Sequence, residues 1–503
     1  MPKSGDSNVI PELPEDWDRC HAFMEKKKRF CRQQRASDSS YCGNHQHLVT
    51  SINSKRKRVP CPLDSSHLVF EDSIEKHVLV CPKATKQKDQ ERQFFYQSNI
   101  NAGGHGTLIK CAQPIDLTRA KRLAQRIISV HAQIFGGGTS FADINEAMEL
   151  LDLSEPEMTK GLPEAIAVHR IRSGGPRHIL QQASLLGHLR RIGAFQSTTK
   201  RRRIIELGAG RGMSGLIMAA ASSGSGVATD LILVERSGSR GKADKILRTF
   251  NPKETTYPFD LKSVSWQRVQ CDIAHVDLVS LLNHPRNNDA FQVSEDSTDE
   301  LVVVAKHLCG VGSDLALKSL YPIRSRVTAC IFATCCHGVC RWNGYVGRDY
   351  LQKAVQTEEL PFGEAEFDLM RKWAGAVVME PTIVGSNADP CEDDDEGDDN
   401  RHYTSPDNDN NDLLKSVGIA AVAEGLDCGT RGLSRACQRL IDYGRREYIH
   451  HMLGDASDLK VEMLRYTPDE TSPQNTALIG YRKSLSSVSS GIKRTATSIS
   501  DSS

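Results

Sequence analysis

Ile204-Ile205-Glu206-Leu207-Gly208-Ala209-Gly210-Arg211-Gly212 carries an apolar run straight into three alternating glycines, and Glu235 stands 23 residues beyond the last of them. Ile204 to Leu207 reads as a short buried strand. The glycines after it let the backbone turn sharply and approach a ligand with no Cβ in the way. Leu231 to Val234 reads as a second strand that Glu235 ends, and an acid there can accept hydrogen bonds from both hydroxyls of a ribose. Strand, glycine turn, helix, strand and acid in this order predict an α/β domain that holds a nucleoside cofactor.

The glycines alone do not choose the cofactor, because Gly210 to Gly215 also satisfies the G-x-G-x-x-G spacing of nicotinamide and flavin enzymes. Three features favour S-adenosylmethionine. Glu206 is an acid on the first strand, Asp272 follows a third strand over Val264 to Val269, and no second mononucleotide-binding half is present. Glu206 would orient a cationic methionine end, and Asp272 would accept from an adenine amino group. Gly208, Gly210, Gly212 and Glu235 complete the predicted cofactor set. A dinucleotide, or a plain glycine turn, stays open as the alternative.

Length and charge set the frame. A chain of 503 residues exceeds what one core fills, so at least two structural units are expected. Basic and acidic residues nearly cancel, 64 against 63, but unevenly. Lys26 to Arg29 and Lys55 to Arg58 make the amino-terminal region basic, and Cys391 to Asp399 is acidic. A local basic surface can bind phosphates without a basic overall composition, and the second cluster also suits a nuclear import signal. Fifteen cysteines and no amino-terminal apolar stretch point to a reducing compartment, with thiols on metal rather than in disulfides. No apolar run nears the ~20 residues that span a bilayer. The expectation is a protein of the nucleus, the cytoplasm or both.

Cys20, Cys31, Cys42 and His45 follow the spacing C-x10-C-x10-C-x2-H, three thiolates and an imidazole for one tetrahedral zinc. Cys61, His67, His77 and Cys81 form a second full set, with His77 and Cys81 four apart on one helical face. A module of ~30 residues buries too little apolar surface to offset its own chain entropy, so metal would supply most of its folding energy. Two closed sets leave no cysteine unused before Cys111.

Together with these sets, the segments Lys28-Arg29-Phe30-Cys31, Tyr41-Cys42-Gly43, His178 to Ser184, Glu206 to Gly212, Lys306-His307-Leu308-Cys309-Gly310, Cys335-Cys336-His337 and Asn475 occur in one order. In these the chain resembles the eukaryotic zinc-finger tRNA 2'-O-methyltransferases that modify the fourth nucleotide of the acceptor stem. Arg177 stands where that family more often carries lysine, and Gly338 where a second histidine is expected. The resemblance implies a Rossmann-like, seven-stranded class I methyltransferase domain preceded by two small zinc modules. It implies S-adenosylmethionine and two structural Zn2+ as cofactors and the tRNA acceptor stem as partner, with no membrane. Rival readings are a same-fold methyltransferase for protein or a small molecule, and an inactive zinc-finger RNA-binding adaptor.

Leu301 to Ala305 and Thr328 to Ala333 read as fourth and fifth strands ending at Lys306-His307 and at Thr334 to His337, with an antiparallel pair over Lys460 to Tyr466 and Thr476 to Tyr481. Ligands of open α/β sheets collect at the carboxyl ends of strands. Lys306 and His307 are therefore the first candidates to take a proton from a hydroxyl or to hold a phosphate, followed by His178 and His337. Cys330, Cys335, Cys336, His337 and Cys340 invite a third zinc site, but adjacent cysteines on a strand point to opposite faces and pack readily as small apolar groups, so packed thiols are the preferred reading. Arg431, Arg435 and Arg439 are spaced for one helical face, either a phosphate grip or an exposed charged helix. Expected boundaries are 16–48 and 58–85 for the zinc modules, 86–170 for a helical linker with a flexible break at Gly136-Gly137-Gly138, and 171–483 for the catalytic domain. An acidic disordered insert is expected at 388–412 and a disordered tail at 484–503.

Overall fold

The computed structural model describes residues 13, 17–24, 29–37, 39–43, 45, 58–64, 67–103, 115–148, 176–195, 201–224, 226–237, 242–251, 261–284, 300–376, 418–454 and 458–482. The lysines Lys26 to Lys28 and Lys55 to Lys57, the acidic insert and the serine-rich tail lie outside the described residues. The chain divides into two compact units, Met1–Gln93 and Phe94–Ser503.

In the first unit, β1 (Phe23–Met24) pairs antiparallel with β2 (Arg29–Phe30), and β3 (Arg58–Pro60) pairs antiparallel with β4 (Leu68–Phe70). Helices Ile74–Val80 and Pro82–Glu91 follow. The buried clusters here are small and made largely of the cysteines themselves: Cys20, Ala22, Cys31 and Cys42 in one, Cys61, Val69 and Cys81 in the other. So little hydrocarbon cannot hold a fold, which leaves metal as the organising interaction.

The second unit is built on a seven-stranded sheet of β5 (Arg201–Leu207), β6 (Ala228–Glu235), β7 (Val264–Gln270), β8 (Glu300–Cys309), β9 (Val327–Cys335), β10 (Leu459–Arg465) and β11 (Thr476–Arg482). Its order is β10-β11-β9-β8-β5-β6-β7, with β11 antiparallel to both neighbours and β5 to β9 mutually parallel. Side chains alternate between two cores, as the period of a strand requires. Ile204, Val302, Val304 and Ile331 meet helices Pro176–Arg191, Met213–Ser223 and Lys242–Thr249. Ile205, Val303 and Phe332 meet helices Leu278–Asn283, Val311–Leu320 and the end of Gly429–Leu453. From β5 the chain first fills one side with β6 and β7, then crosses to the other with β8 and β9. The carboxyl ends of β5 and β8 thus form a topological switch point, where open α/β sheets place ligands.

The segment read as a helical linker carries helices Leu117–Phe135 and Phe141–Glu146, and Leu123, Ile127 and Ile144 are buried in a third core with Trp373, Leu433 and Leu440. Asp116 caps the first helix by accepting from Arg119 N at 2.7 Å, and Ser140 and Asp143 form a capping box on the second. Gly136 and Gly137, at φ +79° and +88°, stop the first helix rather than leaving a loose break. The fourth strand also runs beyond Ala305: β8 continues through Lys306 to Cys309, after a register shift that brings Cys309 opposite Cys335. Among the described residues no helix is long and apolar enough to cross a membrane.

Candidate active site and metal centres

Beyond Leu207 the backbone turns through Gly208, Gly210 and Gly212 at φ +68°, +47° and +74°, a region that side chains other than glycine rarely adopt. A Cβ on Gly208 would lie 2.2 Å from Leu308 Cδ2, so the turn is wedged against the Lys306 to Gly310 segment. A Cβ on Gly212 would lie 2.9 Å from Leu233 Cδ1. Gly210 differs, with nothing within 4 Å of its ideal Cβ. The turn is therefore packed from below at two glycines and open at the third.

Glu235 closes this turn. Its Oε2 accepts from Gly210 N and its Oε1 from Ser237 N, both at 2.8 Å. From the other side Arg268 Nη1 donates to Gly210 O at 2.9 Å, while Arg268 Nη2 and Nε hold Asp244 at 2.7 and 2.8 Å. Neither Arg268 nor Asp244 was legible in the sequence, since no local spacing joins a residue of β7 to a helix 24 positions earlier. Asp272, half-buried after β7, accepts from Ala274 N at 2.9 Å and keeps Arg236 within 4.0 Å of its other oxygen.

Glu206 sits lower. It is 2 % exposed, and its Oε2 accepts from Gly215 N at 2.8 Å at the start of the helix after the turn. Burial raises its carboxyl to about 7, against the pull of the Gly215 amide, Ser214, Arg268 and Lys306. Lys306 on β8 is 5 % exposed, and burial lowers its ammonium to about 8 while Glu206 and Cys335 pull the other way. An acid and a base, each favouring the other's charged form, thus stand on adjacent strands at the switch point. The side chain of His307 lies outside the described residues. His178 is exposed near the start of helix Pro176–Arg191.

Both predicted zinc sets assemble. The donor atoms of Cys20, Cys31, Cys42 and His45 lie within 4.8 Å of one another, and so do those of Cys61, His67, His77 and Cys81. His45 presents Nδ1, at 3.4 Å from Cys20 Sγ and 3.3 Å from Cys42 Sγ. In the second set Cys61 and Cys81 Sγ are 3.8 Å apart, and His67 and His77 turn Nε2 toward each other at 2.9 Å. Bonds of ~2.0 to 2.3 Å to one tetrahedral ion separate ligand atoms by about 3.3 to 3.8 Å; the distances to sulfur meet that range, the His67 to His77 approach is tighter, and each set supplies the four donors that zinc takes.

The family described as Methyltransferase TRM13 matches residues 180–481, which include the glycine turn, Glu235 and Lys306. The chain belongs to the TRM13 methyltransferase family. The CCCH zinc finger of TRM13 proteins matches residues 18–46, and the U11-48K-like CHHC zinc finger matches 58–82. The Mus musculus tRNA:m(4)X modification enzyme TRM13 homolog is 28% identical over 481 residues, 86% of this chain and 88% of the mouse protein. The Homo sapiens homolog is 27% identical over 504 residues, 89% of this chain and 92% of its own length. Saccharomyces cerevisiae TRM13 is 25% identical over 507 residues, 92% and 96% of the two chains.

Within the TRM13 domain several sequence expectations are corrected. His337 is buried, its Nε2 2.7 Å from Asp442 Oδ2, which also accepts from Thr334 Oγ1 at 2.7 Å. Burial alone would raise Asp442, but His337, Arg445 and Thr334 outweigh it and hold the carboxyl below its usual range. Arg445, fully buried, joins Asp442 to Asp314 at 3.1 and 2.8 Å. His337 therefore belongs to the bracing between β9 and helix Gly429–Leu453, away from solvent. The arginine stripe is not one continuous exposed face, since Arg435 and Arg439 are buried and only Arg431 is exposed. Arg439 is buried and donates to the Ile144 and Asn145 carbonyls, Arg435 donates to Pro473 O and Asp469, and Arg431 lies over the Phe141 ring. The five-residue cysteine and histidine group does not converge on one point either. Cys335 and Cys336 gather with Cys309 instead.

Proposed function

We propose that this protein transfers a methyl group from S-adenosylmethionine to the ribose 2'-hydroxyl of the fourth nucleotide of the tRNA acceptor stem, on a Rossmann-like class I methyltransferase sheet. The observation that carries this reading is the glycine turn tied to Glu235 at the switch point, inside the residues matched to the TRM13 family. The names of the relatives, tRNA:m(4)X modification enzymes, support the nucleic-acid substrate.

The residues present suit the cofactor. Gly210 has open space where a Cβ would stand, Glu235 keeps lone pairs that would serve ribose hydroxyls, and Asp272, after β7, would accept from an adenine amino group. Glu206, bonded to Gly215 N, fixes the helix start, and its ionised form would favour a cationic methionine end. S-adenosylmethionine supplies an activated methyl on a sulfonium, so alignment does much of the catalytic work. Lys306, lowered toward neutrality by burial, is positioned to take the proton of the attacking hydroxyl. His307 and His178 remain candidates for phosphate or hydroxyl contact. An A-form stem presents its 2'-hydroxyls in a wide minor groove, and the zinc modules dock the stem through shape and phosphate contacts.

The test is methyl transfer from labelled S-adenosylmethionine to unmodified tRNA, with nuclease digestion to locate the product. The expected result is a 2'-O-methyl mark at the fourth acceptor-stem position. Cofactor binding without that product contradicts the reading and favours another substrate. Gly210→Arg is expected to abolish cofactor binding, and Lys306→Ala to lower turnover ~100-fold or more, the range of a positioned general base. Unchanged turnover would remove Lys306 from the reaction.

A further inference from the structure

Three cysteines that no zinc-finger pattern joins come together where β8 and β9 end. Cys309 is the last residue of β8, Cys335 the last of β9, and Cys336 follows it. Cys309 and Cys335 are register partners, with Sγ atoms 3.6 Å apart, and all three Sγ atoms lie within 4.8 Å of one another. The two finger sets meet the same limit, with a Cys61 to Cys81 Sγ distance of 3.8 Å. Sulfur atoms on one tetrahedral ion at bonds of ~2.3 Å stand about 3.8 Å apart. The trio has the spacing of a metal-ligand set.

The backbone is bent to make it so. Successive side chains of a strand point to opposite faces, so Cys335 and Cys336 would diverge if β9 simply continued. Cys336 instead adopts φ 49°, ψ 45°, a left-handed conformation that costs a residue with a Cβ about 1 to 2 kcal/mol. Gln474 Oε1 accepts from Cys336 N at 3.1 Å and helps to hold that turn. The result brings the third sulfur beside the other two. Strain held at one residue, with a cluster of ligand atoms as its outcome, is the pattern of a functional site.

We propose that Cys309, Cys335 and Cys336 form a third metal centre, a three-thiolate site for a thiophilic ion, Zn2+ or Cu+, separate from the two finger modules. Soft thiolate donors select these ions over magnesium or calcium. Cys309 is exposed, which gives the ion a route from solvent. Among the described residues no fourth His, Cys, Asp or Glu joins the group, so a further position falls to solvent, an incoming ligand or a donor outside the described residues. Binding exchanges the thiol protons for the ion and needs no oxidant. A disulfide between Cys309 and Cys335 would use two of the sulfurs and leave the strained placement of Cys336 without a purpose.

The test is metal content of the full chain, purified under reducing conditions without chelator, by mass spectrometry that separates zinc from copper. Three thiophilic ions per chain are expected. Zinc alone or two zinc with one copper decides which ion occupies the third site. Cys309→Ser/Cys336→Ser is expected to lose one ion with its circular dichroism unchanged. In cobalt-loaded protein the sulfur-to-metal absorption should fall by the share of three sulfur ligands in eight, the three sets contributing three, two and three. If the double variant misfolds, Cys309→Ser alone, at the exposed position, carries the comparison. Two ions per wild-type chain, or a Cys309–Cys335 disulfide in peptides mapped from the reduced preparation, would overturn the proposal.

Discussion

Glu235 Oε2 accepts the Gly210 amide at 2.8 Å, so the acid that ends one strand is fastened to the glycine turn that follows its neighbour. Its other oxygen is engaged by Ser237 N at the same distance. Glu235→Gln keeps one acceptor oxygen but sets an amide NH2 against a backbone N–H. Hydrogen bonds to charged groups contribute ~1.5 to 3 kcal/mol, so S-adenosylmethionine should bind roughly tenfold to a hundredfold more weakly, with a lowered Tm. Calorimetric titration beside thermal unfolding checks this. A lowered Tm with unchanged affinity would mean that the acid serves the turn alone.

Gly208 faces two obstacles to substitution, its φ of +68° and the Leu308 Cδ2 atom 2.2 Å from an ideal Cβ. Left-handed backbone costs a residue with a Cβ ~1 to 2 kcal/mol, and overpacking a further ~1 to 3. Gly208→Ala should therefore destabilise the larger unit by about 2 to 5 kcal/mol in urea denaturation. Combining it with Leu308→Ala should recover the steric part and leave the backbone part. Simple additivity of the two changes would show that Leu308 is not the obstacle.

What the sequence disclosed follows the range of the interaction involved. The strands from Ile204 to Tyr481 could be read because each is a local apolar run, and the zinc sets because Cys42 and His45, or His77 and Cys81, are near neighbours in the chain. The pairings of Arg268 with Asp244, of His337 with Asp442 and of Arg445 with Asp314 span 24, 105 and 131 residues and leave no local spacing to read. For the same reason the four-residue spacing of Arg431, Arg435 and Arg439 showed a helical face but not which partners bury it. Cys309 and Cys335 lie 26 residues apart in the chain, and only the register of β8 on β9 makes them neighbours.

Removing zinc should separate the two units of the chain. The clusters around Cys31 and Cys61 hold few apolar side chains, whereas the sheet has a core on each face. A strong chelator should therefore free the amides of Cys20 and Cys31, which now donate to Gln33 O and Ala22 O, to exchange at unfolded rates. Amides of β5 and β6 should stay protected. Hydrogen exchange read by mass spectrometry checks both, and continued protection at Cys20 and Cys31 after chelation would show that the fingers fold without metal.

His131 and His188 are buried imidazoles whose ring nitrogens find no hydrogen-bond partner among the described residues, and they make the larger unit sensitive to acid. Burial, with Arg439 beside His131 and Arg191 beside His188, lowers both to about 3 from an ordinary 6.5. The unfolded chain then binds more protons than the folded one between those values. Stability is full above pH ~6.5 and falls as pH drops toward 3, by about 1.4 kcal/mol per unit for each histidine. Helix Leu117–Phe135 carries His131 and helix Pro176–Arg191 carries His188, so their amides report the loss directly. Between pH 6 and 5 Glu206, raised by burial to about 7, takes up a proton on folding and offsets about one histidine, so His188→Leu should flatten the slope and adding His131→Leu should reverse its sign. A slope unchanged in the double variant would place the acid sensitivity in other titratable groups of the larger unit.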